Sequence, residues 1–347
     1  MLMFRIDGRA IGGTRSFVIA EAGVNHNGDP GMAHQLIDAA ADAAADAIKF
    51  QTFTPALLAS STAGTAAYQA RGAAETSQLR MLERLTLPRD AYAALAAHAA
   101  DRGLVFLSTP FDHESVDFLD QLGVPAFKLS SGDLTNALLL RHTAAKGKPL
   151  LLSSGMATLD EVRAAIDEVM GRAKVPVAVL HCVSAYPATL ADCNLRAIPT
   201  MAAALGVPIG FSDHTTGDHA SLAAIALGAA VIEKHLTLDR ALDGPDHQAS
   251  ADPLDLQRLV AAIRGVESAM GDGEKRPTAA EAEAAILGRR SLHWHRALKR
   301  GAVVAEDDLI ALRPATGIAP DRWRTIVGRR VTRDVVAGQI VMPDEVA

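Results

Sequence analysis

The sequence has only two cysteines, Cys182 and Cys193, and no Cys-x-x-Cys pair. They can make neither a disulfide framework nor a cysteine-built metal site, and a reducing compartment, the cytoplasm, suits them best. Aromatic residues are scarce at 4%, so a core must be packed from aliphatic and small side chains, as alanine-rich helices around a sheet allow. The chain carries a net charge of −6 and no block of Lys or Arg. Binding to nucleic acid or to an anionic membrane would therefore lack its electrostatic driving force. No apolar run approaches the length of a membrane span, and the first eight residues turn polar too early for a signal peptide. The first strand-like run is not followed by Gly-x-Gly-x-x-Gly, which weighs against a dinucleotide-binding sheet.

What is present is a chain of 347 residues, 49% of them hydrophobic, enough for one large domain and one small one. Eight apolar runs, at residues 17–23, 47–52, 105–110, 126–131, 150–155, 177–182, 208–213 and 231–237, alternate with helical patterns. The clearest helix start is Thr158-Leu-Asp-Glu161, the spelling of a capping box ahead of an amphipathic run. Eight near-continuous strands alternating with helices over about 250 residues predict a (β/α)8 TIM barrel, with an open doubly wound sheet as the alternative. The last barrel helix is expected at residues 253–270, followed by a Gly/charged/Pro break. This divides the chain into a catalytic barrel over 1–272, a linker over 273–288 and a small β-rich domain over 289–347. So short a tail is marginally stable alone and should pack on its own barrel or on a partner's.

Polar residues gather at the carboxyl ends of the strands, where a barrel carries its chemistry. They include Glu21, Lys49, Gln51, Thr109, Lys128, Ser131, Ser154, Ser184, Tyr186, His214, Glu233 and His235. Alternation along a strand puts Ile19 with Glu21, Ala47 with Lys49, Leu152 with Ser154 and Glu233 with His235, and these pairs are expected to face the barrel mouth. The last two runs and the helix between them form one βαβ unit, so His214 and His235 should sit side by side and could hold a metal. Lys49 and Lys128 point into an apolar barrel, and an unpaired ammonium is too costly to desolvate there. The guest they call for is a phosphate or a phosphorylated carboxylate; the alternative is internal pairing with Glu21 or Glu233.

Nine segments in order, with the tail, then spell a family. They are Ile-Ala-Glu-Ala-Gly-Val-Asn-His-Asn-Gly-Asp (19–29), Ile-Lys-Phe-Gln-Thr-Phe (48–53), Leu-Ser-Thr-Pro-Phe-Asp (107–112), Phe-Lys-Leu-Ser-Ser-Gly-Asp (127–133), Ser-Ser-Gly-Met-Ala-Thr (153–158), Leu-His-Cys-Val-Ser-Ala-Tyr-Pro (180–187), Phe-Ser-Asp-His-Thr (211–215), Glu-Lys-His-Leu-Thr (233–237) and Gly-Pro-Asp-His (244–247). Together they resemble the bacterial sialic acid synthases, and Arg313-Pro-Ala-Thr-Gly-Ile looks like that family's C-terminal antifreeze-like (SAF) domain.

The resemblance implies condensation of phosphoenolpyruvate with the open-chain aldehyde of an N-acetylated amino sugar. It implies a divalent metal (Mn, Mg or Co) on His214 and His235, and a homodimer with exchanged C-terminal domains. By motif match Lys49, Lys128, Ser131, Ser154 and Ser184 would hold phosphoenolpyruvate, and Glu21, Tyr186 and Asp246 would face the acceptor. Gln51, Thr109, Asp133 and Ser212 would join them as substrate-binding residues. Glu21 and Glu233 are both candidates for the base that activates water. Arg313 would reach a partner's site, or else pair with Glu306 or Asp307 on its own surface. The main reading is N-acetylneuraminate synthase acting on N-acetylmannosamine. The alternative is a diacetamido-trideoxyhexose as acceptor, giving N,N'-diacetyllegionaminate or, third in order, pseudaminate. Two other classes fit worse. Aldolases that add phosphoenolpyruvate to a sugar phosphate commonly place a Cys among the metal ligands and need a second phosphate site, and Cys182 is the one cysteine at these strand ends. A non-catalytic carbohydrate-binding protein leaves the barrel's lysines and histidines without a role.

Overall fold

The computed structural model of the chain describes residues 3–60, 63 and 77–347. The chain forms two compact units, Met1–Gly271 and Asp272–Ala347. In the first, the hairpin β1 (Phe4–Ile6) and β2 (Arg9–Ile11) precedes eight parallel strands. These are β3 (Phe17–Gly23), β4 (Ala47–Thr52), β5 (Val105–Pro110), β6 (Phe127–Leu129), β7 (Leu150–Ser153), β8 (Val177–Cys182), β9 (Ile209–Asp213) and β10 (Val231–His235). They run in the order β5-β4-β3-β10-β9-β8-β7-β6. The two end strands, β5 and β6, pack against each other, so the sheet nearly closes into the predicted barrel.

Register decides which face each residue takes. Ile19 pairs with Ala47 and Glu21 with Lys49, while His235 pairs with Glu21 and Glu233 with Ser212, so all of these share one face. Inside the barrel Phe17, Ile19, Ala47, Leu107, Ala126, Leu151, Ala178, Leu180 and Val231 pack with Ile6 and Ile11 of the hairpin. The hairpin therefore closes the amino-terminal end of the barrel. A second, larger core lies between the outward faces of the strands and the surrounding helices, among them Pro30–Asp42, Leu159–Arg172 and Pro253–Met270. Helix Leu159–Arg172 starts with the expected capping box, in which the Thr158 hydroxyl accepts from Glu161 N and Glu161 Oε2 accepts from Thr158 N. Below the strands, Asp46 ties the base together: it accepts from Val18 N and pairs with Arg264 at 2.6 Å and Arg9 at 2.8 Å. Among the described residues no helix is long and apolar enough to cross a membrane.

The second unit opens with helix Ala282–Gly288 and carries the antiparallel pair β11 (Ser291–Trp294) and β12 (Leu309–Leu312). Its core gathers Leu292, Trp294, Val304, Ile326, Val331, Val335, Val341 and Val346. The carboxylate of Glu345, buried below it, accepts from Trp294 Nε1 at 3.1 Å and from Arg333 at 2.8 Å. His293 and His295 turn their Nδ1 atoms to backbone carbonyls of Ser291 and Asp307.

Candidate active site

The carboxyl ends of the eight strands surround a cavity of about 480 Å³. Its floor is an ionic quartet, Glu21, Lys49, Lys128 and Glu233, each at most 4% exposed. Lys49 Nζ stands 2.5 Å from Glu21 Oε2 and 3.7 Å from Glu233 Oε2, and donates to Thr109 Oγ1 at 2.9 Å. Lys128 Nζ lies 3.7 Å from Glu233 Oε1 and donates to the Leu129 carbonyl. Ser212 donates to Glu233 Oε1 at 3.0 Å, and Gln51 Nε2 reaches Glu21 Oε1 at 3.4 Å. The internal pairing is thus real: Lys49 faces both carboxylates and Lys128 faces Glu233.

The two carboxyls are driven apart. Burial lifts Glu21 above its ordinary range, more than Lys49 lowers it. Burial works the same way on Glu233, but Lys128 and then Lys49 outweigh it and hold that carboxyl low. Burial, more than Glu233 opposes it, lowers Lys128 from its ordinary value, so an anion brought beside it stabilises the charged lysine. Two carboxyls split in this way can divide the labour of proton carrier and fixed anion.

Beside the quartet, the His214 and His235 ring centroids lie 5.5 Å apart, with the Tyr186 ring tilted 33° against His214 at 4.1 Å. His214 Nδ1 is 2.8 Å from the Val183 carbonyl, so that nitrogen carries the proton and Nε2 keeps its lone pair for the cavity. Burial, then the neighbouring His214, keeps His235 neutral, and its buried Nδ1 has no hydrogen-bond partner. Asp246 Oδ2 stands 4.0 Å away, and burial raises its carboxyl to about 6. Two available imidazole nitrogens and a nearby carboxylate suit a divalent cation that takes its remaining ligands from substrate and water. Among the described residues no three His, Cys, Asp or Glu side chains converge into a closed metal site.

Of the residues expected in the site, Glu21, Lys49, Gln51, Thr109, Lys128, Ser131, Ser184, Tyr186, Ser212, His214, Glu233, His235 and Asp246 line this one cavity. Ser154 does not. Lys128 pairs with Leu151 and Leu151 with Ala178 on the inner face, so Ser153, partner of Leu180, points inward and Ser154 outward. The Ser154 hydroxyl is spent on the Leu180 carbonyl at 3.0 Å. The expected inward pair Leu152 and Ser154 is therefore corrected to Leu151 and Ser153. Asp133 also stays off the lining, where its carboxylate accepts from Ser130 Oγ and Asn136 Nδ2. Arg313 is exposed and belongs to the second unit; neither Glu306 nor Asp307 pairs with it among the described residues.

Sequence reasoning misses Ser130, Ser153, Cys182 and a wall of helix Gln78–Leu85, all on the lining. The serine doublets hold the signal for the first two, and the amphipathic spelling Gln-Leu-Arg-Met-Leu-Glu-Arg-Leu holds it for the helix. Gly155 completes the hydroxyl side, with its N–H donating to Ser131 Oγ at 2.9 Å.

Residues 36–275 match the NeuB family and residues 289–347 match the SAF domain. The N,N'-diacetyllegionaminic acid synthase of Legionella pneumophila is 45% identical over 331 residues, covering 94% of this chain and 93% of its own. That of Campylobacter jejuni is 42% identical over 330 residues, covering 94% of this chain and 99% of its own. Among solved structures, the N-acetylneuraminic acid (sialic acid) synthetase of Leptospira borgpetersenii in complex with citrate is similar with a TM-score of 0.72 at 35% identity, over 82% of this chain and 95% of that one.

Proposed function

The chain belongs to the NeuB family and ends in a SAF domain, and from that premise we propose that it condenses phosphoenolpyruvate with the open-chain aldehyde of a diacetamido-trideoxyhexose. Water is consumed, and N,N'-diacetyllegionaminic acid and phosphate are formed. The observation that carries the chemistry is the buried quartet of Glu21, Lys49, Lys128 and Glu233 beneath a hydroxyl-lined cavity with two histidines at its side. The choice of acceptor rests on the relatives at 45% and 42% identity, both N,N'-diacetyllegionaminic acid synthases. It replaces N-acetylmannosamine, the acceptor of the main expectation.

Lys49 and Lys128 hold the anionic groups of phosphoenolpyruvate, and Ser131, Ser153 and Ser184 donate to them. A divalent cation on His214 and His235 would polarise the aldehyde oxygen and stabilise the alkoxide charge that develops there. As C3 of phosphoenolpyruvate bonds to the aldehyde carbon, C2 becomes electron-poor, and the ionised Glu233 beneath it offsets that charge. Glu21, whose carboxyl titrates high, takes the proton of the water that adds to C2. Collapse of the resulting hemiketal phosphate expels phosphate and leaves the 2-keto acid. A homodimer with exchanged SAF domains, and Arg313 reaching a partner's cavity, belong to the same proposal; the exposed Arg313 guanidinium supports them.

Phosphate release from phosphoenolpyruvate, measured with each candidate acceptor and with the product identified by mass spectrometry, tests this. The diacetamido-trideoxyhexose should give the highest kcat/KM. A higher value with N-acetylmannosamine would return the N-acetylneuraminate reading, and no release with any of them would end both.

A further inference from the structure

The cavity is lined unevenly. On the side of β6, β7 and β8 it presents hydroxyls, from Ser130, Ser131, Ser153 and Ser184, and on the side of β9 and β10 it presents the two imidazoles. The third side, following β3, β4 and β5, carries an apolar wall of Val24, Leu58, Met81, Leu82, Leu85 and Phe111 above the strand-end Gln51 and Thr109, with Gln78 its one polar neighbour on the helix. We propose that this apolar wall is the specificity determinant that receives the deoxygenated C6 methyl end of the acceptor sugar, an inference that rests on the function proposed above.

Several features mark the wall as built for a guest. Helix Gln78–Leu85 lies in the β4–β5 connection as an addition to the alternation of strand and barrel helix, since that connection also holds the barrel helix Ala91–Asp101. Its sequence places Met81, Leu82 and Leu85 on one face and Arg80, Glu83 and Arg84 on the other. With Val24, Phe53 and Ala59 the apolar face forms a cluster separate from both barrel cores. The helix packs closely on the loop that follows β3. Gly28, at φ 77°, packs so closely beneath it that a Cβ there would stand 2.6 Å from the Arg84 carbonyl oxygen. An apolar surface at a polar site discriminates by what it leaves unpaired.

Placement follows from the other two sides. The lysines and serines take the anion, and the imidazoles mark where the aldehyde oxygen lies. The carbon chain of the acceptor then runs away from both, toward the β3–β5 side. A C6 methyl buries apolar surface against Leu82 and Leu85, whereas a C6 hydroxyl in the same position gives up hydrogen bonds to water. Rejection of an added hydroxyl by an apolar pocket amounts to about 10- to 100-fold in kcat/KM.

The test uses two acceptor pairs whose members differ only at C6. One is the diacetamido-trideoxyhexose with its 6-hydroxy counterpart; the other is N-acetylmannosamine with its 6-deoxy counterpart. Phosphate release should favour the 6-deoxy member of each reacting pair by about 10- to 100-fold. In Leu82→Asn and Leu85→Asn that preference should shrink about tenfold or more while KM for phosphoenolpyruvate holds, and Leu82→Met should restore it. Should an Asn variant fail to fold, Leu82→Ala, which keeps the helix and removes the contact, should lower the preference in the same direction. Equal use of both members by the unaltered chain, or a preference that survives in the folded variants, overturns the proposal. Phosphate release that is present but blind to C6 refutes the wall alone, whereas no release with any of the four acceptors refutes the proposed function as well.

Discussion

Gly155 offers the sharpest separation of binding from folding. A Cβ at this position would overlap Ser184 Oγ and stand 2.8 Å from Ser131 Oγ and 3.2 Å from Ser131 Cβ. Gly155→Ala must therefore swing both hydroxyls away from the place where they converge. Charge-assisted hydrogen bonds contribute about 1.5 to 3 kcal/mol each, so displacement of one should weaken phosphoenolpyruvate binding about 10- to 100-fold, and of both by more. Stability should hardly change. Gly155 is not among the glycines at positive φ, so alanine adds no backbone strain. The hydrogen bond lost from Gly155 N to Ser131 Oγ, about 1 kcal/mol, is offset in large part by about 0.4 to 1 kcal/mol from the stiffer unfolded chain. Calorimetry of phosphoenolpyruvate binding, beside a thermal melt, reads both quantities. An unchanged affinity in a folded Gly155→Ala protein would refute the placing of the anion among these serines.

Three further outcomes are expected. Treatment with a chelator, or His214→Ala, should lower the rate by orders of magnitude with the melt unchanged, and readdition of Mn, Mg or Co should restore the chelated enzyme; full activity after chelation rules the metal out. His26, 1% exposed with its Nδ1 accepting from Gly28 N at 3.0 Å, is held by burial at about 4 against an ordinary 6.5. The folded chain refuses a proton that the unfolded chain takes up, so its stability contribution is complete above pH 6.5 and falls by about 3 kcal/mol as the pH drops to about 4. Denaturant titrations of His26→Asn should lose that slope, and an identical pH profile in the variant would contradict it. Mixing inactive Arg313→Ala and Lys128→Ala chains should regenerate one intact site per hybrid dimer and about half the parental rate per hybrid. Silence after exchange has been verified by mass spectrometry would place Arg313 in its own subunit or outside the site.

Much of the barrel is legible because parallel strands buried on both faces must be apolar throughout. The runs 17–23, 47–52, 105–110 and 177–182 coincide with β3, β4, β5 and β8 for that reason. The same property hides the phase. In Leu150-Leu-Leu-Ser-Ser154 either alternation buries leucine on both faces, so only the pairing of Leu151 with Ala178 reveals that Ser153 is the inward serine. Phase is legible for Glu21 and Lys49, each flanked by apolar residues that take the helix side, and it is blurred in Glu233-Lys-His235, where Lys234 faces outward and pairs with Asp213, itself held by Ser221 of the next helix. The hairpin at Phe4–Ile11 escapes for another reason: three-residue strands have too little pattern, and the barrel floor supplies their burial. Helix Gln78–Leu85 has a readable stripe, but which cavity it faces depends on the fold of the β4–β5 connection.

The hairpin floor has a consequence for the order of events. With Ile6 and Ile11 packed against the inner core at one end, the cavity among the described residues lies at the other, carboxyl end of the barrel. The lysines stand at its floor, so whatever they bind must enter before anything occupies the space nearer the mouth. Phosphoenolpyruvate is then obliged to arrive first, and an acceptor bound prematurely acts as a stopper. Traffic of this kind predicts substrate inhibition by the sugar that fades as phosphoenolpyruvate is raised.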